Sequence, residues 1–273
     1  MSTDSLARQA RVPRALRGIY RGNTRSVVAR GMKVIARNNY LVVLSGFFEP
    51  VFYLLSMGLG LGALIGGVEF YGREVPYAAY IAPSLMAVSA MNGALYDSTT
   101  NVFFRMRYGK LYEQMLSTSL GPMDVALGEI FMALFRGLLY ASGFMVVTTL
   151  LGLNLSWTAL LAIPAALVVA CGFASVGLAA TSYMTSFQHL DLVFFVMLPM
   201  FLLSATFFPI TVYPEAVQWV IMALPLWHGV DMIRQLTTGL IQPSMWAHLG
   251  YFAVMILIGV IVATKRLRAL FLR

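Results

Sequence analysis

His228, Asp231 and Arg234 recur at i, i+3 and i+6 and so share one side of a helix. Two readings are open for this set. A His-Asp pair would serve a hydrolase if a Ser were held near His228. A charged rank in an apolar hairpin would instead gate a passage or brace a helix, since buried polar groups must be paired. Brace or gate is the favoured reading. Glu49, followed by Pro50 inside an apolar run, is the second candidate. An ionisable group within a membrane span costs at least about 2.5 kcal/mol and faces protein or water. Glu49 is therefore either a substrate-path or proton-linked carboxylate, or a structural residue capped by Arg37 or a neighbouring helix. The third candidate is Asn101 to Glu129, the one long polar interruption between apolar runs. Within it Arg107, Lys110, Glu113 and Gln114 give a short helix of mixed charge, stopped by Gly121-Pro122. Such a surface suits docking of a soluble partner by charge complementarity.

Composition says what must hold these groups. Of 273 residues 59% are hydrophobic and 11% charged, against about 45–50% and about 25% in soluble domains. Several apolar runs reach the roughly 20 residues that cross a hydrocarbon core. An all-α, polytopic membrane protein is expected. Its spans fall near Leu41–Ile65, Tyr77–Thr100 (broken by Pro83), Asp124–Leu151, Trp157–Thr181, Leu190–Tyr213 (with Pro199 inside) and Trp246–Thr264. Gly58 and Gly62 in the first span, and Ala166, Ala170 and Ala174 in the fourth, give small-residue faces for close packing. Glu129 and Arg136, seven residues apart, share a face of span three, so Arg136 pairs with Glu129 or snorkels to head groups. His189 and Asp191 read as interfacial anchors.

The net charge of +8 would suggest nucleic acid in a soluble chain, but here it sorts by side. With six spans, the N-terminal segment, the central loop and the C-terminus share one side and hold 16 of the 19 Lys and Arg residues. The positive-inside tendency makes that side cytoplasmic, with both termini there. A seventh span through residues 213–240 would reverse this. Pro214 and Pro225 also bracket only about ten apolar residues, too few to cross, so a re-entrant outer hairpin is expected. Residues 1–40 form a basic amphipathic segment. Arg8, Arg11, Arg14, Arg17, Arg21 and Arg25 lie opposite Val12, Leu16, Ile19, Tyr20 and Val27, as in an interfacial helix on anionic lipid. The segment has no apolar signal-peptide core. Residues 41–264 make the six-span domain, with a central loop at 101–123, and residues 265–273 a cytoplasmic tail.

Some chemistries are excluded. The Gly-rich end of span one lacks the strand-and-helix setting of a phosphate loop, and no G-x-x-x-x-G-K-[ST] occurs, so ATP chemistry is not expected in this chain. The lone Cys171 permits no intramolecular disulfide or Cys-based metal site. An ion-coupled secondary transporter using Glu49 would show inverted repeats, and none is seen.

The ordered features from about Ala36 to Arg268 resemble the membrane subunit of type 2 ABC exporters, in particular the nodulation-type lipo-oligosaccharide exporters and their antibiotic-export relatives. The resemblance is carried by Phe48-Glu49-Pro50, Tyr80-Ile81-Ala82-Pro83, Phe104-Arg105-Met106, Tyr112 to Leu120, Gly128-Glu129, Phe207-Phe208-Pro209 and Leu224-Pro225-Leu226 with His228 and Arg234. Ser119 departs from the Pro that relatives commonly carry after Thr. The resemblance implies a permease of the bacterial plasma membrane that pairs with a second copy or a paralogue. Two cytoplasmic ATPase subunits would bind ATP and Mg²⁺, while this chain holds no cofactor and no metal. A coupling helix of Arg107, Lys110, Leu111, Tyr112, Glu113, Met115 and Leu116 would dock on the ATPase. The cargo would be a lipid-linked, glycolipid or amphipathic molecule, or alternatively a hydrophobic drug or antibiotic.

Overall fold

A computed structural model describes residues 19–37 and 48–271 of the chain. The first helix, α1 (Thr24–Arg37), starts after a left-handed Gly22 with φ of 74°. Of the basic amphipathic segment expected at 1–40, this helix carries Arg25 and Val27, and Arg8 to Arg17 fall outside the described residues. Its start is fixed by one carboxylate. Asp124 accepts from the backbone amides of Arg21, Asn23 and Gly121 at 2.8–2.9 Å and from the Thr24 hydroxyl at 3.0 Å. It thereby caps α1 and, reaching back three residues, the helix in which it sits. The two helices touch through glycines: a Cβ on Gly128 would lie 2.5 Å from Val27 Cγ1, and one on Gly31 would lie 2.6 Å from Met132 Sδ.

Helix α2 (Phe48–Ile65) carries a wide π-helical stretch at Leu54–Leu61. Gly58 there is packed, with Ala78 Cβ 3.4 Å from where its own Cβ would stand, whereas Gly62 approaches Tyr77 only at 4.0 Å. The segment expected as a plain loop is a small antiparallel ribbon, β1 (Gly67–Phe70) and β2 (Arg73–Pro76), with Phe70 opposite Arg73. Its two-residue turn, Tyr71-Gly72, has φ of 47° and 74°, the both-positive pattern that matches strand twist.

Helix α3 (Tyr77–Arg107) is the axle, with α2, α5, α6 and α9 all packed against it. Its first 20 residues are mostly Ala, Ser, Met and Leu and bury 17 side chains, as an all-round apolar helix must. Pro83 does not break it, contrary to expectation. Instead Arg234 donates to the Tyr80 carbonyl in the turn that the proline loosens. The helix also outruns the predicted Thr100, passing through a π turn at Asp97–Asn101 and on to Arg107.

Helices α4 (Leu111–Leu116), α5 (Pro122–Leu150), α6 (Trp157–Tyr183, opening with a 3₁₀ turn) and α7 (His189–Leu203) follow. Ala166, Ala170 and Ala174 of α6 are fully buried, and a Cβ on Gly137 of α5 would stand 2.8 Å from Ala170. Small residues therefore set the α5–α6 spacing as expected. The fifth apolar run is shorter than read: α7 has 15 residues, roughly 22 Å of helix, and ends in a turn where Ala205 takes φ of 53°. Helices α8 (Glu215–Ala223) and α9 (Pro225–Thr238) meet at 88°, and α10 (Ser244–Phe271) closes the bundle against α6.

Among the described residues, five helices are long and apolar enough to cross a membrane, with α7 a shorter apolar helix beside them. Contacts sort the bundle into two ends. At the basic end, Arg21 and Asn23 donate to the carbonyls of Thr118 and Ser119, Arg107 to that of Met184, and Tyr112 of α4 meets Phe271 of α10. At the far end lie the ribbon, the α8–α9 hairpin and the start of α10. Helix α7 joins the two ends, with Leu190 packed near Phe103 and the Ala205 carbonyl on Arg234.

Candidate functional site

The loop between α3 and α5 is built as a two-faced plate. Lys110, at a left-handed φ of 45°, turns the chain into α4. Tyr112, Met115 and Leu116 face inward and are buried, while Lys110, Glu113 and Gln114 are exposed beside Tyr108 and Gly109. The seven residues expected to form one docking surface therefore divide. Tyr112, Met115 and Leu116 seat the helix, Leu111 is half-buried, and Arg107 is tied by two donors to the Met184 carbonyl at 2.6 and 3.0 Å. Six residues at helical spacing cannot present all sides outward, and the apolar ones bury themselves.

Beneath that plate lies a charged cluster. Arg105 binds Glu129 at 2.5 Å. Asp97, in the π turn, stands 3.8 Å from Arg105 and 3.6 Å from Arg136, and accepts from Asn101 through the same oxygen, Oδ1. Of the two expectations for Arg136, the pair with Glu129 does not form: Glu129 goes to Arg105, and Arg136 lies beside Asp97 and over the Tyr96 ring at 5.3 Å. The seven-residue spacing put both on one face correctly but could not see the cations and carboxylates of α3 opposite. The cluster is not fully satisfied. The Nε atoms of Arg136 and Arg30 are buried without hydrogen-bond partners, while the Glu129 carboxylate lies against the Tyr112 hydroxyl. Burial, and after it the Glu129 carboxylate, pushes the Tyr112 phenol well above its usual range.

Arg136 also reaches the wall of a cavity of about 340 Å³ bounded by four helices. Glu49, Pro50 and Tyr53 come from α2, Asn92, Tyr96 and Thr99 from α3, Tyr140 from α5, and Phe194, Met197 and Phe201 from α7. Mostly apolar walls with a few convergent polar groups are what ligand pockets share. Glu49 is exposed and lines this space. The side chain of Arg37, its other expected partner, lies outside the described residues.

A family model described as ABC-2 type transporter matches residues 23–237. The chain belongs to the ABC-2 type transporter family. It is similar to nodulation protein J of Rhizobium leguminosarum bv. viciae, 32% identical over 249 residues covering 87% of this chain and 93% of that one. It also resembles nodulation protein J of Rhizobium meliloti (strain 1021), 31% identical over 88% and 94% of the two chains. A more distant namesake in Azorhizobium caulinodans is 24% identical over 82% and 89%. This ABC-2 protein is a transport subunit of the membrane and not an enzyme, and its family implies an ABC ATPase as partner.

At the far end of this transport subunit, the His228, Asp231 and Arg234 side of α9 forms a brace. Arg234 donates Nε to the Tyr80 carbonyl at 3.0 Å and NH2 to the Ala205 carbonyl at 2.9 Å and to the Ser84 hydroxyl, with its guanidinium 3.8 Å over the Tyr80 ring. Asp231 accepts from Tyr71 at 3.1 Å and Gln235 at 2.7 Å and pairs with His248 Nε2 at 2.9 Å. His228 Nδ1 meets His248 Nδ1 at 2.8 Å and stacks on Tyr251. The expected triad therefore does not act as one group, because His228 reaches Asp231 only through His248. Sequence reading missed His248, Tyr71 and Asp97. A lone His two residues into an apolar span, and an Asp closing another, were signals available under the cost of intramembrane polar groups. Tyr71 carried none. His189 bonds Ser186 at the start of α7 and Asp191 is exposed.

Proposed function

We propose that this chain is the permease of an ATP-driven exporter, crossing the bacterial plasma membrane six times with both termini in the cytoplasm. The cargo is a lipid-linked, glycolipid or otherwise amphipathic molecule, taken up at the basic end and released at the far end. The observation that carries this reading is the joint placement of the cavity and the loop helix. One wall of the cavity, Arg136, shares Asp97 with Arg105, which lies at the entry to the loop. Aromatic and aliphatic walls suit an acyl or ring portion, and Glu49, Asn92 and Arg136 suit a polar head.

Six crossings follow from counting α7, completed by the turn through Ala205, as one crossing, and the α8–α9 hairpin as re-entrant at the outer end. The ATPase, carrying ATP and Mg²⁺, docks on the exposed side of α4 through Lys110 and Glu113, flanked by Arg107. A second permease, a copy or a paralogue, completes the path. ATP-driven closure of the ATPases shifts the loop helix as a rigid body and reshapes the cavity.

The test is co-expression with the ATPase encoded beside this chain, followed by purification through a tag on the permease. Co-elution that is lost on joint reversal, Lys110→Glu with Glu113→Lys, supports the docking surface. Transport by the wild type in ATP-free vesicles with no ATPase bound overturns the exporter reading. A cargo assay in inverted vesicles separates a glycolipid from a hydrophobic drug.

A further inference from the structure

We propose that Asp97 is a positioning residue that sets the charge of the cavity wall according to where the loop helix sits. The inference deepens the exporter reading and rests on it for the identity of the driving partner.

Four observations converge on this carboxylate. It lies in the five-residue π turn Asp97–Asn101 within α3, a rare geometry found mostly at functional positions. It is 3% exposed, so its charge cannot be left to water. It stands between two guanidiniums, 3.8 Å from Arg105 and 3.6 Å from Arg136, both beyond the roughly 2.7–2.9 Å of a closed charge-assisted hydrogen bond. It is committed to neither. Finally, the two arginines have different further neighbours. Arg136 lines the cavity, with its Nε buried and unpartnered. Arg105 is held by Glu129, whose carboxylate also meets the buried hydroxyl of Tyr112 in α4. Arg30 of α1 is the remaining cation acting on Glu129.

The charges decide what a shift would do. Asp97 and Glu129 balance Arg105 and Arg136. If α4 presses Tyr112 inward and Asp97 closes on Arg105, Arg136 becomes an uncompensated cation in the cavity wall, opposite Glu49. If Asp97 closes on Arg136, the wall is neutral and Arg105 is left to Glu129 alone. A displacement of about 1 Å from the present position reaches either arrangement, since a closed pair is that much shorter than the present contacts. By linkage, a ligand that draws Arg136 away from Asp97 biases the loop helix in return.

Local potential can be read with a cysteine at Asn92, a residue lining the cavity, after Cys171→Ala removes the lone native thiol. The ratio of modification rates by anionic sulfonatoethyl and cationic trimethylammonioethyl methanethiosulfonate reports the wall charge. In the permease alone, Arg105→Gln frees Asp97 for Arg136 and should lower the anion-to-cation ratio about tenfold, the order expected of one unit charge at this range. In an Asp97→Asn background the same change should move it less than about twofold. Equal effects in the two backgrounds overturn the proposal. Should Asp97→Asn not fold, Arg136→Gln serves as the background, because it removes the group that Asp97 would neutralise. In the complex, trapping the ATPase with ATP and vanadate should shift the ratio with Asp97 present and leave it unmoved in Asp97→Asn. A shift of equal size in both overturns the proposal. Failure of any ATPase to co-purify counts against the exporter reading, and the Arg105 cycle in the permease alone still decides the role of Asp97.

Discussion

The two ends of the bundle use the same kinds of residue to opposite effect. At the far end, Arg234 has three acceptors and an aromatic face, and Asp231 has three donors. At the basic end, Asp97 stands 3.6 and 3.8 Å from two cations, and the buried Nε of Arg136 beside it lacks a partner. A fully satisfied network fixes one arrangement, while a partly satisfied one leaves neighbouring arrangements close in energy. On the mechanism proposed above, the far end would serve as a hinge post and the basic end as the moving part. In a transport subunit driven from the loop side, that is the polarity that lets a push on the loop reshape the cavity rather than loosen the whole fold.

The largest effect expected from breaking this contrast is at Arg234. Arg234→Met keeps the bulk but strands the carbonyls of Tyr80 and Ala205, each a group whose desolvation costs about 1–3 kcal/mol when unpaired. The left-handed turn at Ala205 also loses its tie to α9. Thermal unfolding in detergent should register a loss of about 3 kcal/mol or more, with α7 the first element to open to proteolysis. A loss below about 1 kcal/mol would deny the brace. Next in size is Gly128→Leu, which drives a side chain into Val27 of α1 and should cost about 1–3 kcal/mol by overpacking. Proteolysis should then cut between Gly22 and the start of α5 sooner than elsewhere. Unchanged protection would mean that Asp124 alone docks α1.

How far the sequence foretold these regions follows from the kind of signal each carries. Apolar runs located α2, α3, α5, α6 and α10, because crossing a membrane demands length and composition that nothing else mimics. The far-end hairpin was legible from Pro214, Pro225 and the charge balance. The ends of elements were not. The π turn at Asp97 carries α3 seven residues past Thr100, and its neighbours Arg105 and Arg136 are residues that pattern cannot pair. The Tyr71-Gly72 turn hides because Tyr is a poor left-handed residue by propensity, and only the hydroxyl's bond to Asp231, made across the fold, accounts for its choice. On α4 the charges were seen, but that Tyr112, Met115 and Leu116 serve the interior depends on α5 and α10 lying beneath them.

A third substitution sharpens the contrast from the basic end. Arg136→Met removes a buried cation as Arg234→Met does, yet Asp97 retains Asn101 and can close on Arg105. The expected loss is about 1 kcal/mol or less, with the cavity wall losing its positive charge. Equal destabilisation by the two methionine variants would erase the distinction between a fixed and an adjustable end.

A comparably small effect belongs to Tyr71, and it tests whether the ribbon is part of the brace. Tyr71→Phe deletes one hydrogen bond to Asp231 and should cost about 0.5–1.5 kcal/mol. The phenol offers a second readout. Burial, and after it the Asp231 charge, raises its pKa from 10.0 to about 12. A folded-state pKa above the unfolded one means the native state holds the proton more tightly. The contribution is therefore complete below pH 10 and fades as pH rises through about 12. The stability gap between wild type and Tyr71→Phe should be constant through neutral pH and narrow only in that alkaline window. The phenolate absorbance lost in the variant should likewise appear there. Ionisation of Tyr71 near 10 would place its hydroxyl in solvent, and the ribbon would then be a lid resting on the brace rather than a member of it.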